Sequence, residues 1–381
     1  MNNRHTFFAS CPRGLEPILT AELERLGAEQ VSAAQGGVAF SGDFTMCYRV
    51  NLDSRIASRV LWKVYHGTYR DEEDIYRSVY ALPWSNWFSE HETIKVKVSA
   101  QHCPLKSLDF VTLRIKDAVC DKFKTLTQRR PNVDTHQPSI RIDGFLRQQE
   151  MTLYLDTSGE PLFKRGLRKS SGEAPIRENL AAGIIGLSGW APGQPFLDPM
   201  CGSGTLLMEA AQIARNISPG LGRRFAFENL RNFDVKAWKV LCDTSRARQT
   251  PGKALQIDGF DRDSIAIKAA ESNLRAAGFA DDVRLKQADV LDVWPPAAGG
   301  VLVMNPPYGE RVGSEAELGA LYPRLGDALK RRFAGWRAYI LTADLRLPKL
   351  IGLAASRRTP LFNGPLECRL FEFKIVAGSN R

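Results

Sequence analysis

Asn305-Pro306-Pro307-Tyr308-Gly309 directly follows the apolar run Val301-Leu302-Val303-Met304, and no other stretch of the chain is better equipped for chemistry. A short run rich in β-branched and apolar residues predicts a buried strand. Two consecutive prolines cannot extend its hydrogen-bond ladder, so the chain must leave the sheet there. The expected result is a rigid polar loop at the carboxyl end of a strand, where open α/β sheets place ligands. Asn305 offers a side-chain carbonyl, Pro306 a backbone carbonyl without a local N–H partner, and Tyr308 a flat aromatic face. Two acceptors and a stacking ring suit a planar group that bears an exocyclic NH2. A proline-rich turn that merely ends a core strand is the competing reading.

Upstream, Pro195-Phe196-Leu197-Asp198-Pro199-Met200-Cys201-Gly202-Ser203-Gly204-Thr205 precedes Leu206-Leu207-Met208-Glu209-Ala210-Ala211. This order predicts a short strand, a glycine turn and a helix opening at Thr205. Gly202 and Gly204 let backbone approach a ligand closely, and the helix N-terminus favours a negative group such as a carboxylate. No Gly-Lys-Ser/Thr follows, so this is not a P-loop, and Leu207 stands where a dinucleotide fingerprint needs its third glycine.

If this turn belongs to a nucleoside pocket, an acid should close the next strand and accept from ribose. Leu255-Gln256-Ile257-Asp258-Gly259-Phe260-Asp261 supplies two, of which Asp261 at the strand exit suits two hydroxyls and Asp258 suits a structural role. Val283-Arg284-Leu285-Lys286-Gln287-Ala288-Asp289 is a third strand, and the Asp289 that ends it is placed to accept from an adenine amine. A single acidic strand end is more often a helix cap. Asp198, Asp261, Asp289 and Asn305 in this order, each followed by helical pattern or a rigid turn, form a series that capping does not explain.

That series resembles the class I S-adenosylmethionine-dependent methyltransferases. The resemblance assigns the cofactor loop to Asp198, Met200, Cys201, Gly202, Gly204 and Thr205, the ribose acid to Asp261 and the adenine-side acid to Asp289. Asn305, Pro306 and Tyr308 resemble the tetrapeptide of the subset that methylates exocyclic or amide nitrogens, with Asn305 also beside the cofactor. Met200 occupies a position where many members carry glycine, and residues 214–253 lengthen the spacing to Asp261. That insertion carries Arg215, Arg223, Arg224, Arg231, Arg246 and Arg248, which suit either substrate contact or a solvated helical excursion.

The elements before this region are smaller. Residues 6–9 predict a strand, Gly14–Leu26 an amphipathic helix capped by Gly27, Val38–Phe40 a strand, and 43–50 and 53–61 helices. Thr93–Ser99 alternates as a half-buried strand with Lys95 and Lys97 on its open face. A helix over Phe110–Thr127 carries Arg114, Lys116, Lys122 and Lys124, with Arg129 and Arg130 beyond it, and strands follow at 139–142 and 151–156. Basic residues in this number suit phosphate contact or a solvated charged face. The stretch from Pro131 to Arg168, with Glu173–Ala182 after it, resembles the end of a THUMP domain and its link to a methyltransferase. The whole pattern resembles the bacterial THUMP-containing guanine-N2 methyltransferases of 23S ribosomal RNA, in some bacteria the N-terminal half of a longer bifunctional protein.

Composition agrees with a nucleic-acid partner. Of 381 residues 44% are hydrophobic and 25% charged, as in an ordinary globular protein, and the net charge is +10. Residues 1–170 carry 24 basic and 20 acidic side chains and the remainder 28 and 22, so the excess is spread along the chain. The seven cysteines show no Cys-x-x-Cys spacing and the five histidines no cluster, which argues against a zinc site or a disulfide framework. No apolar run reaches the ~18 residues of a membrane span, and the N-terminus lacks a signal-peptide core, so a cytoplasmic location is expected.

The expected architecture is α/β. A C-terminal Rossmann-like class I methyltransferase sheet ends in an antiparallel strand over Leu366–Ile375, after a helix at Leu321–Phe333, a strand at Ala338–Thr342 and a turn at Leu361–Gly364. It is preceded by a smaller α+β region: a ferredoxin-like unit at 1–60, a THUMP domain at 61–157 and a link at 158–172, with the methyltransferase at 173–381. The resemblance implies methyl transfer from S-adenosylmethionine to guanine N2 in 23S ribosomal RNA or a large-subunit assembly intermediate, with no metal and no membrane partner. A tRNA guanine-N2 methyltransferase, a DNA adenine-N6 or protein-glutamine methyltransferase and a non-catalytic RNA-binding protein are the alternatives.

Overall fold

In the computed structural model, which describes residues 4–166, 176–252, 254–306 and 315–377, the apolar runs of the two halves pair into two separate sheets. The chain forms two compact units. The first takes the described parts of Met1–Ser10, Thr20–Leu162 and Gly222–Asp243, and the second takes those of Cys11–Leu19, Phe163–Leu221 and Thr244–Arg381.

Along residues 4–156 run β1 (His5–Ser10), α1 (Glu16–Leu26), β2 (Glu29–Ala34), β3 (Gly37–Gly42), α2 (Phe44–Asp53) and β4 (Arg59–Thr68). They are followed by α3 (Glu72–Ala81), α4 (Trp84–Trp87), β5 (Ile94–Gln101), α5 (Leu108–Thr127), β6 (Ile140–Arg147) and β7 (Glu150–Asp156). The seven strands lie in the order β2-β3-β1-β4-β7-β6-β5. All pairings are antiparallel except β5 with β6. Helix ends follow local chemistry: Asp43, Asp71 and Ser107 accept from Met46, Asp74 and Phe110 N at 2.8, 2.8 and 3.2 Å. Gly27, at φ +90, closes α1 as expected, with its N–H on Glu24 O and the Ala28 N–H on Leu23 O in a Schellman arrangement.

Period-two alternation divides this sheet into a covered and an open face. Trp62 of β4 is opposite Leu155 of β7, which is opposite Ile142 of β6, and all three are buried. The rings of Phe44 (α2) and Trp87 (α4) pack on Trp62 at 4.8 and 5.7 Å, and Ile115 of α5 lies against Gly144 of β6. The alternate residues of β5 and β6, including Lys95, Lys97, Arg141 and Phe145, point to the other side.

Three expectations fail here and in the second sheet. Residues 59–61, expected in a helix, begin β4, because Val60 and Trp62 find their burial between β1 and β7. The turn before β4 is held by the buried Glu22 carboxylate, which accepts from Ser54 Oγ at 2.5 Å and Arg55 N at 2.9 Å. β2, largely exposed on both faces, has no apolar rhythm and was not expected.

The chain continues through α6 (Glu178–Ser188), β8 (Phe196–Asp198), α7 (Thr205–Ala214), α8 (Val235–Ala247), β9 (Ile257–Asp261), α9 (Ser264–Ala276), β10 (Val283–Gln287) and β11 (Gly300–Met304). It ends with α10 (Glu315–Arg332), β12 (Trp336–Thr342), α11 (Leu347–Leu350), β13 (Arg357–Asn363) and β14 (Leu366–Lys374). The strand order is β10-β9-β8-β11-β12-β14-β13. Every pairing is parallel except those of β14, the expected antiparallel last strand, which inserts between β12 and β13. Leu361–Asn363, expected in a turn, close β13, and the turn itself begins at Gly364 (φ +66). β13 is an edge strand, which is why it tolerates Pro360.

The insertion at 214–253 is largely structural. Phe227, Phe233 and Trp238 pack on the Tyr48 ring at 4.6, 5.8 and 6.3 Å, and the Asp234 N–H donates to the Tyr48 hydroxyl at 3.0 Å. Arg215 pairs with Asp282, Arg223 donates to Pro161 O, and Arg248 donates to Ser218 Oγ. The Arg224 side chain stands almost wholly in solvent, at 96% exposure, with Glu228 at 3.8 Å.

Candidate active site

The four polar strand ends form a stepped row along the carboxyl edge of the second sheet. Asp198 is level with Gly259, so Asp261 lies two residues beyond it. Gln287 is level with Asp261, which puts Asp289 two residues further out. On the other side Leu302 is level with Leu197, and Asn305 follows β11 at the same edge. The order reverses direction between β8 and β11, which is the switch point where open α/β sheets take ligands.

The glycine turn between β8 and α7 is held by its backbone. Cys201 N–H bonds Phe260 O and Gly204 N–H bonds Cys201 O, both at 2.8 Å. Gly202 (φ +52) and Gly204 (φ +82) are in the left-handed region, which favours glycine. A side chain at 204 would press on Ala270 of α9, whereas nothing lies within 4 Å of where one would start at 202. Gly202 thus faces open space beside the first turn of α7, a cradle with room for a ligand.

Asp261 does two jobs. Its Oδ2 accepts from Gly202 N at 2.9 Å and its Oδ1 from Asp263 N at 3.0 Å, so it ties β9 to the glycine turn. Each oxygen retains a second lone pair for a ligand hydroxyl. Asp289 is half-buried, with Oδ1 on Leu291 N at 2.8 Å. Asp258, by contrast, is buried and pairs with Arg284 of β10 at 2.8 Å, a structural contact.

Asp198 is almost wholly buried and accepts from Met200 N at 3.2 Å. Burial pushes its carboxyl up to about 8; the Met200 N–H opposes the rise and neighbouring Asp261 adds to it. Burial, with the same two carboxylates, raises the Cys201 thiol well above its usual range. A raised thiol favours the neutral form, which is the poorer nucleophile. An acid whose folded value is raised binds a proton more tightly in the folded protein. Its stabilising contribution is full below the unfolded value and is lost as pH rises toward about 8. Asp198→Asn keeps the acceptor for Met200 N without the charge. In denaturant titrations of the cofactor-free protein, its advantage over wild type should therefore grow from about pH 4 to about pH 8 and then level off. A difference that does not change with pH would contradict the burial of an ionisable Asp198.

Asn305 carries the least satisfied polar group of the row. Its Oδ1 is buried and has no hydrogen-bond partner among the described residues. A buried carbonyl without a donor costs on the order of 1–3 kcal/mol, a cost that a bound donor removes. Pro306 beside it is buried, while Tyr308 lies outside the described residues.

Two supports of the site were not expected from sequence. Buried Asn273 of α9 donates to Ser203 O at 3.0 Å, a second clamp on the glycine turn besides Asp261. Its signal was an amide inside the apolar stripe formed by Ile267, Ala270 and Leu274. Glu209 of α7 pairs at 3.1 Å with Arg165, both side chains almost fully buried. An acid inside Leu206–Ala211 was the only hint, and its partner stands far away in sequence.

The eight basic residues proposed for RNA fall in two places. Lys95 and Lys97 are on the open face of the first sheet, with Lys95 Nζ on Thr135 O at 2.6 Å. Arg114, Lys116, Lys122, Lys124, Arg129 and Arg130 lie on or just after α5. There Arg114 pairs with Glu73 and covers the Tyr76 ring, Lys122 covers Tyr80, Lys116 pairs with Asp117 and Arg130 with Asp121. Lys124 and Arg129 are exposed. Among the described residues no group of acidic, histidine or cysteine side chains could hold a metal ion, and no helix is long and apolar enough to cross a membrane.

A seven-stranded sheet with one inserted antiparallel strand, a glycine turn after its first strand and acids closing the next two define a class I methyltransferase domain. The chain belongs to the RMKL-like methyltransferase family, whose domain matches residues 165–372. A THUMP domain matches residues 69–156 and an RlmL ferredoxin-like domain residues 6–61. A candidate RNA methyltransferase of Synechocystis is 39% identical over 97% of this chain and 96% of its own length. Ribosomal RNA large subunit methyltransferase K/L of Shewanella frigidimarina is also 39% identical, over 98% of this chain but only 53% of its own. The chain thus spans about half the length of the K/L relatives. Among solved structures, the methyltransferase-type protein SMU.472, complexed with SAH, matches with a TM-score of 0.90 and 32% identity over 98% of this chain and 99% of that one.

Proposed function

We propose that this chain transfers a methyl group from S-adenosylmethionine to the exocyclic N2 amine of a guanine in 23S ribosomal RNA. The observation that carries the reading is the buried Oδ1 of Asn305, without a hydrogen-bond partner among the described residues and in line with the glycine turn. Asp198, Met200, Cys201, Gly202, Gly204, Thr205, Asp261 and Asp289 form the cofactor site. The open cradle at Gly202 and the unused lone pairs of Asp261 fit a nucleoside with an amino-acid tail. The cofactor supplies an electrophilic methyl group on a sulfonium.

The protein's own task is orientation. A guanine amine is a poor nucleophile because its lone pair is delocalised into the ring. Asn305 Oδ1 and the Pro306 carbonyl accept its two hydrogens, aim the lone pair and stabilise positive charge as the new C–N bond forms. The surplus N2 proton leaves to water afterwards, so no strong base is needed beforehand, and alignment supplies much of the remaining acceleration. A paired guanine cannot reach such a loop, so the base is flipped out, and Tyr308 is assigned from sequence to stack on it.

Residues 1–60, 61–157, 158–172 and 173–381 serve in this reading as ferredoxin-like unit, THUMP domain, link and catalytic domain. The THUMP match favours an RNA substrate over DNA adenine or a protein glutamine. The names of the K/L relatives favour large-subunit RNA over tRNA. Large-subunit RNA from cells lacking the gene should accept labelled methyl groups, and the same RNA from parent cells should not. Equal labelling of both, or labelling of tRNA alone, would refute the assignment.

A further inference from the structure

We infer that Arg13 and Arg177 grip one backbone phosphate of the strand that carries the target base and so position it at the active site; the inference rests on the chain methylating RNA at Asn305. Both arginines belong to the second unit and converge on one turn. The Arg13 guanidinium lies over the Phe362 ring at 4.2 Å, and Arg177 Nη2 stands 3.3 Å from where a side chain at Gly364 would start. Arg177 also lies over the Phe163 ring, at 4.9 Å.

Register puts this turn on the substrate side of the sheet. Asn363 of β13 is level with Leu366 of β14, so Gly364 and Pro365 form the turn between them. Arg369 of β14 is level with Thr342, the last residue of β12, and Ile340 of β12 is level with Met304, the residue before Asn305. The turn therefore lies on the same carboxyl edge as Asn305, three strand spacings or about 14 Å away. A strand whose base is flipped onto Asn305 keeps its backbone outside this edge, where its phosphates need a counter-charge.

The two guanidiniums are prepared for an anion. Both residues are exposed, and neither side chain makes a hydrogen bond or ion pair with any described residue. Their ring contacts use the flat face of the guanidinium, which leaves the N–H fork at its rim for two phosphate oxygens. Two other arginines of this edge are neutralised instead: Arg346 forks onto Asp344 at 2.9 and 3.0 Å, and Arg369 pairs with Glu367 at 2.6 Å. The backbone beside Arg13 is fixed as well. Gly14, at φ +93, packs so closely on β13 that a Cβ would overlap Pro360 O, and its N–H is held by Glu16 at 2.7 Å. Fixing a cation in advance reduces the ordering that binding must impose, and a merely solvated charge needs neither the rings nor the glycine.

The test uses the full chain and large-subunit RNA from cells lacking the gene, with binding and single-turnover methylation followed over RNA concentration and salt. Arg13→Gln with Arg177→Gln should raise the dissociation constant and the half-saturating RNA concentration roughly 10- to 150-fold, the equivalent of one charge-assisted contact. The log–log salt slope should flatten by about 0.7, as one single-strand phosphate is no longer neutralised. The rate at saturating RNA should fall far less, which separates positioning from chemistry. The two single variants should not add, because both arginines hold the same phosphate. Arg13→Lys with Arg177→Lys keeps the charge and should restore the salt slope but only part of the affinity. Arg358→Gln, which removes an exposed arginine from the opposite end of β13, should bind close to wild type. Calorimetry with S-adenosylmethionine reports the fold, and if the glutamine pair fails there, the lysine pair decides in its place. Wild-type affinity in the deciding pair, or an equal loss in Arg358→Gln, would overturn the inference. If wild type methylates RNA and the glutamine pair binds as tightly, only this inference fails. If RNA binds through the pair yet is never methylated, only the proposed activity fails.

Discussion

Asn305→Ala should lower single-turnover methyl transfer to unmodified ribosomal RNA by roughly 10²–10³-fold while cofactor and RNA affinities stay near wild type. The variant removes an acceptor that matters most once the amine carries positive charge, so its effect belongs to the transition state rather than to binding. Its Oδ1 has no partner among the described residues, so removal should not unfold the sheet and should even relieve a buried unsatisfied group. A gain or no change in thermal stability together with a collapsed rate would separate a catalytic from a structural asparagine. Tyr308→Ala should also slow transfer and Tyr308→Phe only mildly, since stacking uses the ring. Near-normal rates in Asn305→Ala would leave the turn as mere strand termination.

Asp261→Ala should remove most cofactor affinity. In the proposed site two charge-assisted hydrogen bonds to ribose would be lost, at about 1.5–3 kcal/mol each, so the expected loss spans roughly two to four orders of magnitude. The structure adds a second route to the same loss, because the carboxylate also holds the Gly202 and Asp263 N–H groups. Asp261→Asn separates the two routes. It keeps one acceptor oxygen for the turn but loses the charge, so its affinity should lie between wild type and Asp261→Ala. Calorimetry showing unchanged affinity in folded Asp261→Ala would remove the ribose assignment.

The stepped row of strand ends was legible because parallel strands buried on both faces are written as apolar runs, each broken by one polar residue at the site. Asp198, Asp261 and Asn305 stand where those runs stop. The turns between them announce themselves through glycine and proline, whose backbone limits are local. β4 was missed because its alternation begins after Ser58-Arg59 and breaks at the bulge between Lys63 and Tyr65, so only its pairing with β1 and β7 defines it. β13 hid behind Pro360, which an edge strand permits. Asn273 and the Arg165–Glu209 pair could not be matched to what they hold, since their partners lie 70 and 44 residues away. The same limit applied on α5, where the carboxylates that occupy Arg114 and Arg130 became visible only once α3 and the helix's own turns were in place.

The central claim is the identity of the methylated atom. Large-subunit RNA from cells lacking the gene, incubated with the purified chain and S-adenosylmethionine, digested to nucleosides and resolved by mass spectrometry against standards, decides it. N2-methylguanosine should appear in wild-type reactions and form roughly 10²–10³-fold more slowly with Asn305→Ala. A product on guanine N7, adenine N6 or a pyrimidine carbon would contradict the account, because none of these uses two acceptors on an exocyclic guanine amine.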